Sequence, residues 1–272
     1  MKLDPMQMNI TPLVGFYNLQ AQGDVDATSG LTTEEVIVQF RTTREAAEAL
    51  LPEPYKVPEV PIVTICFSYF DDMPFLNGHG YAISGVYVRG RFDGEEHHLD
   101  GDFAAVLPEN NNVCILSGRD IGGHAKFYFD IERPTVWTDG TVCSEATIHG
   151  DLFYSIQLNG GCGELLQPVE DLDALAKILN SAVLISYKVI PDNDEWGVLN
   201  VSRPLGCDAV RTPKKAWMGK SARIEWGVPR KHLALERAAA LYFANNLPIL
   251  EILATIHWVG KLDWVTGSYT LK

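Results

Sequence analysis

Three observations predict a mainly β fold, a barrel or a sandwich with peripheral helices. Short runs of β-branched and aromatic residues recur along the chain, and Gly, Pro, Asn or Asp bound many of them. Patterns typical of helices are fewer. No internal repeat, low-complexity tract or Gly/Ser-rich linker divides the 272 residues, so we expect a single architecture.

The predicted strands follow one another closely along the chain. The first lies at residues 36–40, before a helix at 43–51 that is ended by Pro52 and Pro54. The other strands are predicted at residues 61–70, 81–92, 103–107, 125–131, 141–149, 152–158, 183–190, 198–201 and 222–226. Many short strands separated by turn residues are typical of barrels and sandwiches.

Helices are predicted at three further places. These are residues 112–117, 171–180 and 230–245. The apolar sequence from Leu247 onward fits a helix or a strand, because short apolar runs do not distinguish the two. The first residues are polar and rich in turn formers, so we expect an irregular N-terminal extension at 1–32 and one domain at 33–272.

The balance of charge excludes several partners. The chain has 22 Lys and Arg against 35 Asp and Glu, a formal net charge of −13, which repels nucleic acid phosphates and anionic lipid. No stretch reaches 18 apolar residues, and the N-terminus lacks the pattern of a secretion signal. We predict a cytoplasmic protein that binds neither nucleic acid nor a membrane.

The cysteines and the histidine-rich segment favour neither a disulfide framework nor a metal centre. The five cysteines are widely spaced without a Cys-x-x-Cys pair, so free buried thiols are expected. Alternation would put His98, Asp100 and Asp102 on one face of a strand as metal ligands, but their acidic neighbours favour a solvated loop or edge strand. Common nucleotide-binding and hydrolase motifs are absent from the sequence. We predict no cofactor and no metal.

One lysine carries the strongest chemical signal. Lys126 follows the glycine-rich bend between Gly118 and Gly123 and begins an apolar run. A lysine buried in an apolar setting can be held as a neutral amine, which attacks carbonyl carbons and forms a Schiff base. From the residues alone, a lysine at the exposed end of a strand is the alternative.

Segments around this lysine and elsewhere match a known family. The hallmark segments are Gly118-Arg119-Asp120 and His124-Ala125-Lys126-Phe127. In order along the chain, the others are Phe40-Arg41-Thr42, Leu51-Pro52-Glu53-Pro54, Tyr81 with Ser84-Gly85, Tyr187-Lys188-Val189-Ile190-Pro191, Ala216-Trp217 with Gly219, and Leu247-Pro248 through Glu251 to His257. From about residue 33 to the C-terminus, the chain resembles the acetoacetate decarboxylase superfamily.

The resemblance implies a closed, cone-like β-barrel around an apolar pocket, a homo-oligomer, and a Schiff-base lysine at Lys126. The sequence also departs from the family pattern. Phe127 replaces the family's second lysine, and Thr33, Cys66 and Ile83 replace an arginine and two pocket glutamates. A pocket without those charges does not suit acetoacetate, so the resemblance implies rebuilt substrate contacts that include Phe127, Cys66 and Ile83.

Divergent members that resemble this pattern keep the lysine and act on pyruvate-like 2-oxo acids. The leading hypothesis is a Schiff-base lyase, an aldolase-dehydratase that condenses pyruvate with an aldehyde through an imine on Lys126. Its partners are a small keto acid and an aldehyde. Two alternatives stay open: decarboxylation of a bulkier β-keto acid by the same imine, and a barrel that binds a small ligand without turnover.

Imine chemistry needs a proton carrier beside the lysine. The candidates are Glu251 in an apolar segment, Tyr81 in a strand expected to line the barrel, and His124 two residues before the lysine. A surface glutamate and a core tyrosine are the structural alternatives for the first two. Arg119 is predicted either to bind the substrate carboxylate or to hold its own loop.

Overall fold

The computed structural model describes residues 30–120, 122–159, 165–227, 235–265 and 268–272, with side chains at all of these except 75, 235–238, 240 and 241. Most of the predicted extension at 1–32 lies outside the described residues, as do Cys162 and residues 230–234 of a predicted helix. The division at residue 33 stays a prediction, and the first described strand begins at Leu31.

Strands dominate the described residues. They are β1 Leu31–Arg41, β2 Ile62–Asp71, β3 Tyr81–Asp93, β4 His98–Glu109, β5 Lys126–Tyr128, β6 Asp130–Ile131, β7 Thr135–Val136, β8 Val142–Ile148, β9 Asp151–Asn159, β10 Gln167–Pro168, β11 Val183–Pro191, β12 Leu199–Cys207, β13 Ala209–Gly219, β14 Ser221–Trp226, β15 Glu251–Trp264 and β16 Tyr269–Thr270. The helices are α1 Arg44–Glu48, α2 Asn112–Asp120, α3 Leu172–Leu179 and α4 Leu235–Asn246, with a 3₁₀ turn at Pro74–Leu76.

The described strands form two sheets. The larger has eleven strands in the order β10-β13-β15-β1-β2-β3-β4-β11-β12-β16, with β5 beside β4. The smaller has five, in the order β14-β9-β8-β6 with β7 beside β8. β4 runs parallel to both β11 and β5, and the other strand pairs of the described residues are antiparallel.

The mainly β prediction is confirmed, but the sheet does not close into a barrel within the described residues. The hydrogen-bonded path of the larger sheet has two ends, β10 and β16. Each is a strand of two residues. Closing a barrel needs edge strands that pair along their length, and edges as short as these offer few backbone groups for pairing.

Alternation along the central strands gives the larger sheet two different faces. On β1, Val36 and Val38 are fully buried against the smaller sheet. Glu35 and Ile37 point the other way and line a cavity. Because successive side chains of a strand project to opposite faces, one face of the sheet forms the core of a sandwich and the other forms a potential binding surface. β2 and β3 repeat the pattern.

The edge of β4 that faces away from β3 pairs with two different strands. Residues 101–103 pair with β11, and residues 107–109 pair with β5. We call this division the β4 fork. The chain reaches it through α2, which connects β4 to β5, so the fork places the start of β5 beside the cavity.

Helix α3 covers part of the cavity face. Its N-cap is Asp171, whose side chain accepts a hydrogen bond from the Ala174 amide at 2.8 Å. Leu175 is buried against the sheet, and Ile178 and Leu179 line the cavity. The apolar stripe of a predicted amphipathic helix therefore closes one side of the binding surface.

Each predicted strand and helix has a counterpart among the described elements. Four described strands were not predicted: the two-residue strands β7, β10 and β16, and the long strand β13. β13 contains Pro213 followed by Lys214 and Lys215, a composition that favours a loop. The structure accommodates it through a register shift between Pro213 and Lys215. The open choice after Leu247 is decided in favour of a strand, β15.

The acidic segment around His98 begins strand β4, five residues before the predicted start at 103. Its carboxylates face arginines on the neighbouring strand: Asp100 lies 2.8 Å from Arg91 and Asp102 lies 2.6 Å from Arg89. Cross-strand ion pairs of this kind stabilise a sheet locally. These ion pairs explain why Asp100 and Asp102 occur in this strand without invoking metal binding.

Candidate active site

A cavity of about 450 Å³ lies on the inner face of the larger sheet. Its volume falls within the roughly 300–1,000 Å³ typical of small-molecule sites. Five of the predicted site residues line it: Lys126, His124, Tyr81, Ile83 and Cys66. The structure thus brings together residues that are up to 60 positions apart in the sequence, from Cys66 to Lys126.

Three predicted residues do not line the cavity. Glu251 begins β15 on the exposed side, where it pairs with Arg41 at 3.1 Å. Phe127 packs in the core between the sheets, with its ring 5.3 Å from that of Phe129. Arg119 is exposed, and its Nη1 donates to a backbone carbonyl. The apolar sequence around Glu251 belongs to a strand with one solvated face, so its neighbours do not bury it.

Local signals position Lys126 at the β4 fork. The side chain of Asn111 accepts hydrogen bonds from the amides of Val113 and Cys114, at 3.0 and 3.3 Å, and so caps α2. After α2 and the glycine-rich bend, β5 returns parallel to β4 with Lys126 opposite Leu107. The cap sets where α2 begins and so helps to fix where the lysine enters the sheet.

The Lys126 ammonium group contacts a buried carboxylate. Its Nζ donates to Oε1 of Glu109 at 3.2 Å and to the carbonyl oxygen of Cys114 at 3.3 Å, and it lies 3.1 Å from Oε2 of Glu109. The Lys126 side chain is 12% exposed and that of Glu109 is 0% exposed. The alternative of a lysine at an exposed strand end is therefore wrong.

Glu109 is the acidic group that sequence reasoning missed. Burial raises the pKa of its carboxyl group, and the positive charge of Lys126 opposes that rise. Among the described residues, Oε2 has no hydrogen-bond donor in good geometry. The available signal was a lone carboxylate at the end of the apolar run 103–109. Its pairing with the lysine depends on the parallel return of β5.

Two members of the glycine-rich hallmark have structural roles. A Cβ atom on Gly118 would lie 2.5 Å from Cδ and Cε of Lys126 and 2.7 Å from its Nζ. The glycine therefore makes room for the lysine side chain. Arg119 donates from Nη1 to the carbonyl oxygen of Lys126 at 2.9 Å, which ties the end of α2 to the start of β5.

The Gly118→Ala variant is expected to fold normally but to form its imine about 100-fold more slowly. Alanine favours the helix that holds this position by about 1 kcal/mol, and the group in its way is the flexible end of Lys126. Displacing a reacting amine by about 1 Å costs about 100-fold in rate. Borohydride trapping of the carbonyl adduct and thermal unfolding would measure the two effects.

Gly90→Ala is the matched control, because its Cβ would meet side-chain atoms of Leu51 and Ile185 at 3.3 and 3.4 Å and none of Lys126. We expect this variant to trap substrate at the wild-type rate. Wild-type trapping by Gly118→Ala would contradict the role given to the glycine.

His124 lines the cavity just before the lysine. Burial, with a smaller contribution from the charge of Lys126, lowers the pKa of the imidazole to about 3. Its Nδ1 is buried without a hydrogen-bond partner among the described residues. The ring is therefore neutral near pH 7 and can exchange a hydrogen bond with a ligand.

A buried ion pair crosses the cavity wall away from the lysine. Glu35 accepts hydrogen bonds from Ser68 at 2.7 Å, from Trp258 at 3.0 Å and from Nε of Arg211 at 3.0 Å. Glu35 and Arg211 both line the cavity, as do Arg89 and its partner Asp102. The cavity thus has charged groups at positions other than Thr33, Cys66 and Ile83, and they occur in balanced pairs.

Three of the predicted site residues lie at different places in the cavity wall: Tyr81, Ile83 and Cys66. The ring of Tyr81 stacks on Phe70 with centroids 4.9 Å apart. Ile83 lies opposite Glu109 in the register of β3 and β4, so it is the apolar neighbour of the lysine's partner. Burial, the largest cause, raises the pKa of the Cys66 thiol well above its usual range, which keeps it protonated.

Comparison with known proteins identifies the family. The sequence model of a family described as acetoacetate decarboxylase (ADC) matches residues 20–272. The chain belongs to this family. It is 27% identical over 244 residues to acetoacetate decarboxylase 3 of Mesorhizobium japonicum, an alignment covering 86% of this chain and 81% of that protein. Membership confirms the recognised resemblance and the prediction of a lyase of the decarboxylase or Schiff-base type.

Solved structures share the fold. Acetoacetate decarboxylase from Legionella pneumophila matches with a TM-score of 0.70 at 21% identity, covering 91% of this chain and 88% of that chain. The enduracididine biosynthesis enzyme MppR, complexed with the condensation product of pyruvate and imidazole 4-carboxaldehyde, matches with a TM-score of 0.64 at 14% identity, covering 91% and 90%. At these identities the likeness concerns the fold of the acetoacetate decarboxylase family.

The remaining predictions concern membranes, metals and thiols. Among the described residues, no helix has both the length and the apolar character to cross a bilayer. The same residues bring together no cluster of three or more His, Cys, Asp and Glu suited to a metal ion. The described cysteines, Cys66, Cys114, Cys143 and Cys207, are free, and all but Cys143 are buried.

Proposed function

We propose that this member of the family is an aldolase-dehydratase, which condenses a small 2-oxo acid such as pyruvate with an aldehyde through an imine on Lys126. The observation that carries the proposal is the Lys126 amine, which reaches a cavity while in contact with the buried carboxyl group of Glu109. A homo-oligomer and a cytoplasmic location stay predictions.

The contact with Glu109 provides a route to the reactive amine. A proton can pass from Nζ of Lys126 to the carboxylate, which leaves two neutral groups and avoids the cost of two buried charges. Burial raises the pKa of Glu109, and a carboxyl group with a raised pKa exchanges protons more effectively near neutral pH. Glu109 therefore takes the proton-carrier role for which the sequence offered Glu251, Tyr81 and His124. Tyr81 and His124 line the cavity as further groups.

The proposed reaction balances in five steps. The amine adds to the ketone carbon, and loss of water leaves an imine. The protonated imine draws electrons from its methyl group, which loses a proton and becomes an enamine. The enamine carbon bonds to the aldehyde carbon, whose oxygen gains a proton. The new hydroxyl leaves as water with a proton from the adjacent carbon, and hydrolysis releases the unsaturated 2-oxo acid and the free lysine.

Decarboxylation of a bulkier β-keto acid is the second candidate function. The name of the Mesorhizobium relative supports it, and the imine on Lys126 would serve both reactions by accepting electrons. The apolar wall at Ile83 and the thiol at Cys66 favour the condensation, since they place no charge where the resemblance predicts one in decarboxylases.

The test is intact-mass spectrometry after incubation with pyruvate or with acetoacetate, followed by borohydride. We expect a reduced pyruvate adduct on the wild-type protein and none on Lys126→Ala, together with a conjugated product once an aldehyde is added. An adduct with acetoacetate alone, accompanied by carbon dioxide, would overturn the condensation and point to decarboxylation of acetoacetate itself. Absence of both adducts would overturn the proposed reaction and leave either another carbonyl substrate or a protein that binds a small ligand without turnover.

A further inference from the structure

We infer that Tyr87 is a catalytic residue that donates a hydrogen bond to the oxygen of the aldehyde acceptor, and that the acceptor has an apolar body. This inference rests on the proposed condensation and assigns its second substrate a place in the cavity. Tyr87 lies on β3 and lines the cavity wall. Neither the family comparison nor the sequence patterns point to it.

The Tyr87 hydroxyl is poised for a ligand. Among the described residues, no protein group forms a hydrogen bond with it, whereas Tyr55 and Tyr154 bond Ser186 and Ser84 at 2.7 and 2.6 Å. Tyr87 is half-buried, so its hydroxyl is open to the cavity, where a ligand oxygen can accept its hydrogen bond. Burial, the largest cause, raises the pKa of the Tyr87 phenol well above its usual range, so the group stays protonated and remains a donor.

A glycine on the same strand directs the ring toward the reaction. Gly85 is two residues before Tyr87 on the same face of β3, and a Cβ atom there would lie 2.4 Å from the Tyr87 ring and 2.6 Å from its hydroxyl oxygen. The ring therefore lies along the strand above Gly85. Any larger side chain at that position would push the hydroxyl away.

The strand register brings this hydroxyl near the imine. Ile83 pairs with Glu109 and Val86 with Val106, which sets Gly85 opposite Leu107, and Leu107 in turn pairs with Lys126. Neighbouring strands lie about 4.8 Å apart, so two strand spacings, about 10 Å, separate the Gly85 and Lys126 backbones. The lysine side chain occupies part of the distance between these two backbones. The rest of that distance is space in which the imine-bound keto acid meets the aldehyde.

The surroundings of Tyr87 define the class of acceptor. Its ring packs beside Ile37 and Ile256, and Leu179 of α3 lies in the same wall. The charges of Glu35 and Arg211 act on the hydroxyl, but as an ion pair they present no net charge. An apolar aldehyde with one neutral oxygen suits this wall. An aldehyde with its own carboxylate, in addition to that of the keto acid, would meet no unpaired cation among the described residues around Tyr87.

The role of Tyr87 follows from where charge and protons move during the condensation. When the enamine carbon bonds to the aldehyde carbon, negative charge develops on the aldehyde oxygen. The Tyr87 O–H donates a hydrogen bond to that oxygen and keeps its own proton, and the proton lost by the methyl carbon when the enamine forms neutralises the oxygen. Removing one such donor from an enzyme typically costs about 10²–10³-fold in rate.

The test compares Tyr87→Phe with the wild-type protein, using pyruvate and benzaldehyde. Borohydride trapping with pyruvate alone reports the first step, and formation of the conjugated product reports the second. We expect trapping within twofold of wild type and a product rate lowered by about 10²–10³-fold. Tyr128→Phe is the matched control, because its exposed hydroxyl bonds Asp130 and does not line the cavity; both its rates should be unchanged.

The outcomes separate the two proposals. Trapping and product formation both at wild-type rates in Tyr87→Phe would overturn the role of the phenol and leave the condensation intact. A wild-type protein that traps pyruvate but leaves benzaldehyde unchanged would overturn the apolar acceptor. A wild-type protein that forms no pyruvate adduct would overturn the proposed function and this inference with it.

Discussion

The Lys126→Ala variant is expected to lose imine formation entirely and to lose turnover by at least about a thousandfold. No other described lysine lines the cavity, so no nearby amine can replace the missing one. The measurement is borohydride trapping with radiolabelled pyruvate, followed by peptide mapping of the labelled site. Label on another peptide would contradict the assignment.

Lys188→Ala is the matched control for this experiment. Lys188 lies beside the same loop, with its Nζ donating to the carbonyl oxygen of Asp120. Partial burial, with help from the charge of Arg203, lowers the pKa of its ammonium group. Its chemistry therefore resembles that of a reactive lysine, but it does not line the cavity. Trapping at the wild-type rate in Lys188→Ala would show that cavity position decides the reaction.

The Glu109→Gln variant is expected to lower turnover by about 10²–10⁴-fold, the usual contribution of a proton carrier. The substitution keeps the size of the side chain and removes its ability to exchange a proton with Lys126. A purely structural role would leave the pH profile of turnover unchanged, whereas a proton carrier shifts it. A wild-type profile and rate in Glu109→Gln would therefore exclude this residue from the chemistry.

The same pair is expected to control stability. In Lys126→Met, Glu109 keeps the burial that raises its pKa and loses the cation that opposes the rise. Breaking a buried ion pair by removing one partner costs about 3–5 kcal/mol. Because the folded-state pKa of Glu109 is raised above its unfolded value, its protonated form suits the fold, and we expect the variant's free energy of unfolding to be lower at about pH 8 than at about pH 5.

Urea unfolding at both pH values would measure this loss. The double variant Lys126→Met with Glu109→Leu removes both charges, so we expect it to recover most of the stability while staying inactive. Equal stability of the single and double variants at pH 8 would show that the carboxylate is not an uncompensated buried charge.

Local patterns in the sequence were sufficient for much of the fold. The β-branched and aromatic runs predicted β2, β3, β8 and β9, because a strand that is buried on one or both faces selects those residues wherever it lies. The polar start of β4 and the proline-lysine run of β13 were not predicted. Each is a strand because of its neighbours, through cross-strand arginine pairs in β4 and a register shift in β13.

The candidate site divides in the same way. The sequence by itself determined the lysine, since Gly118 and Lys126 lie in one continuous segment whose glycine and apolar residues are visible without a structure. The tertiary structure decided its surroundings. Strand pairing across β3, β4 and β5 brings Glu109 into contact with the lysine and places Tyr87 in the wall of the same cavity. Glu251 is turned outward by the alternation of β15. The register of strand pairing brings together residues that are distant in the chain, and local sequence patterns do not predict that register.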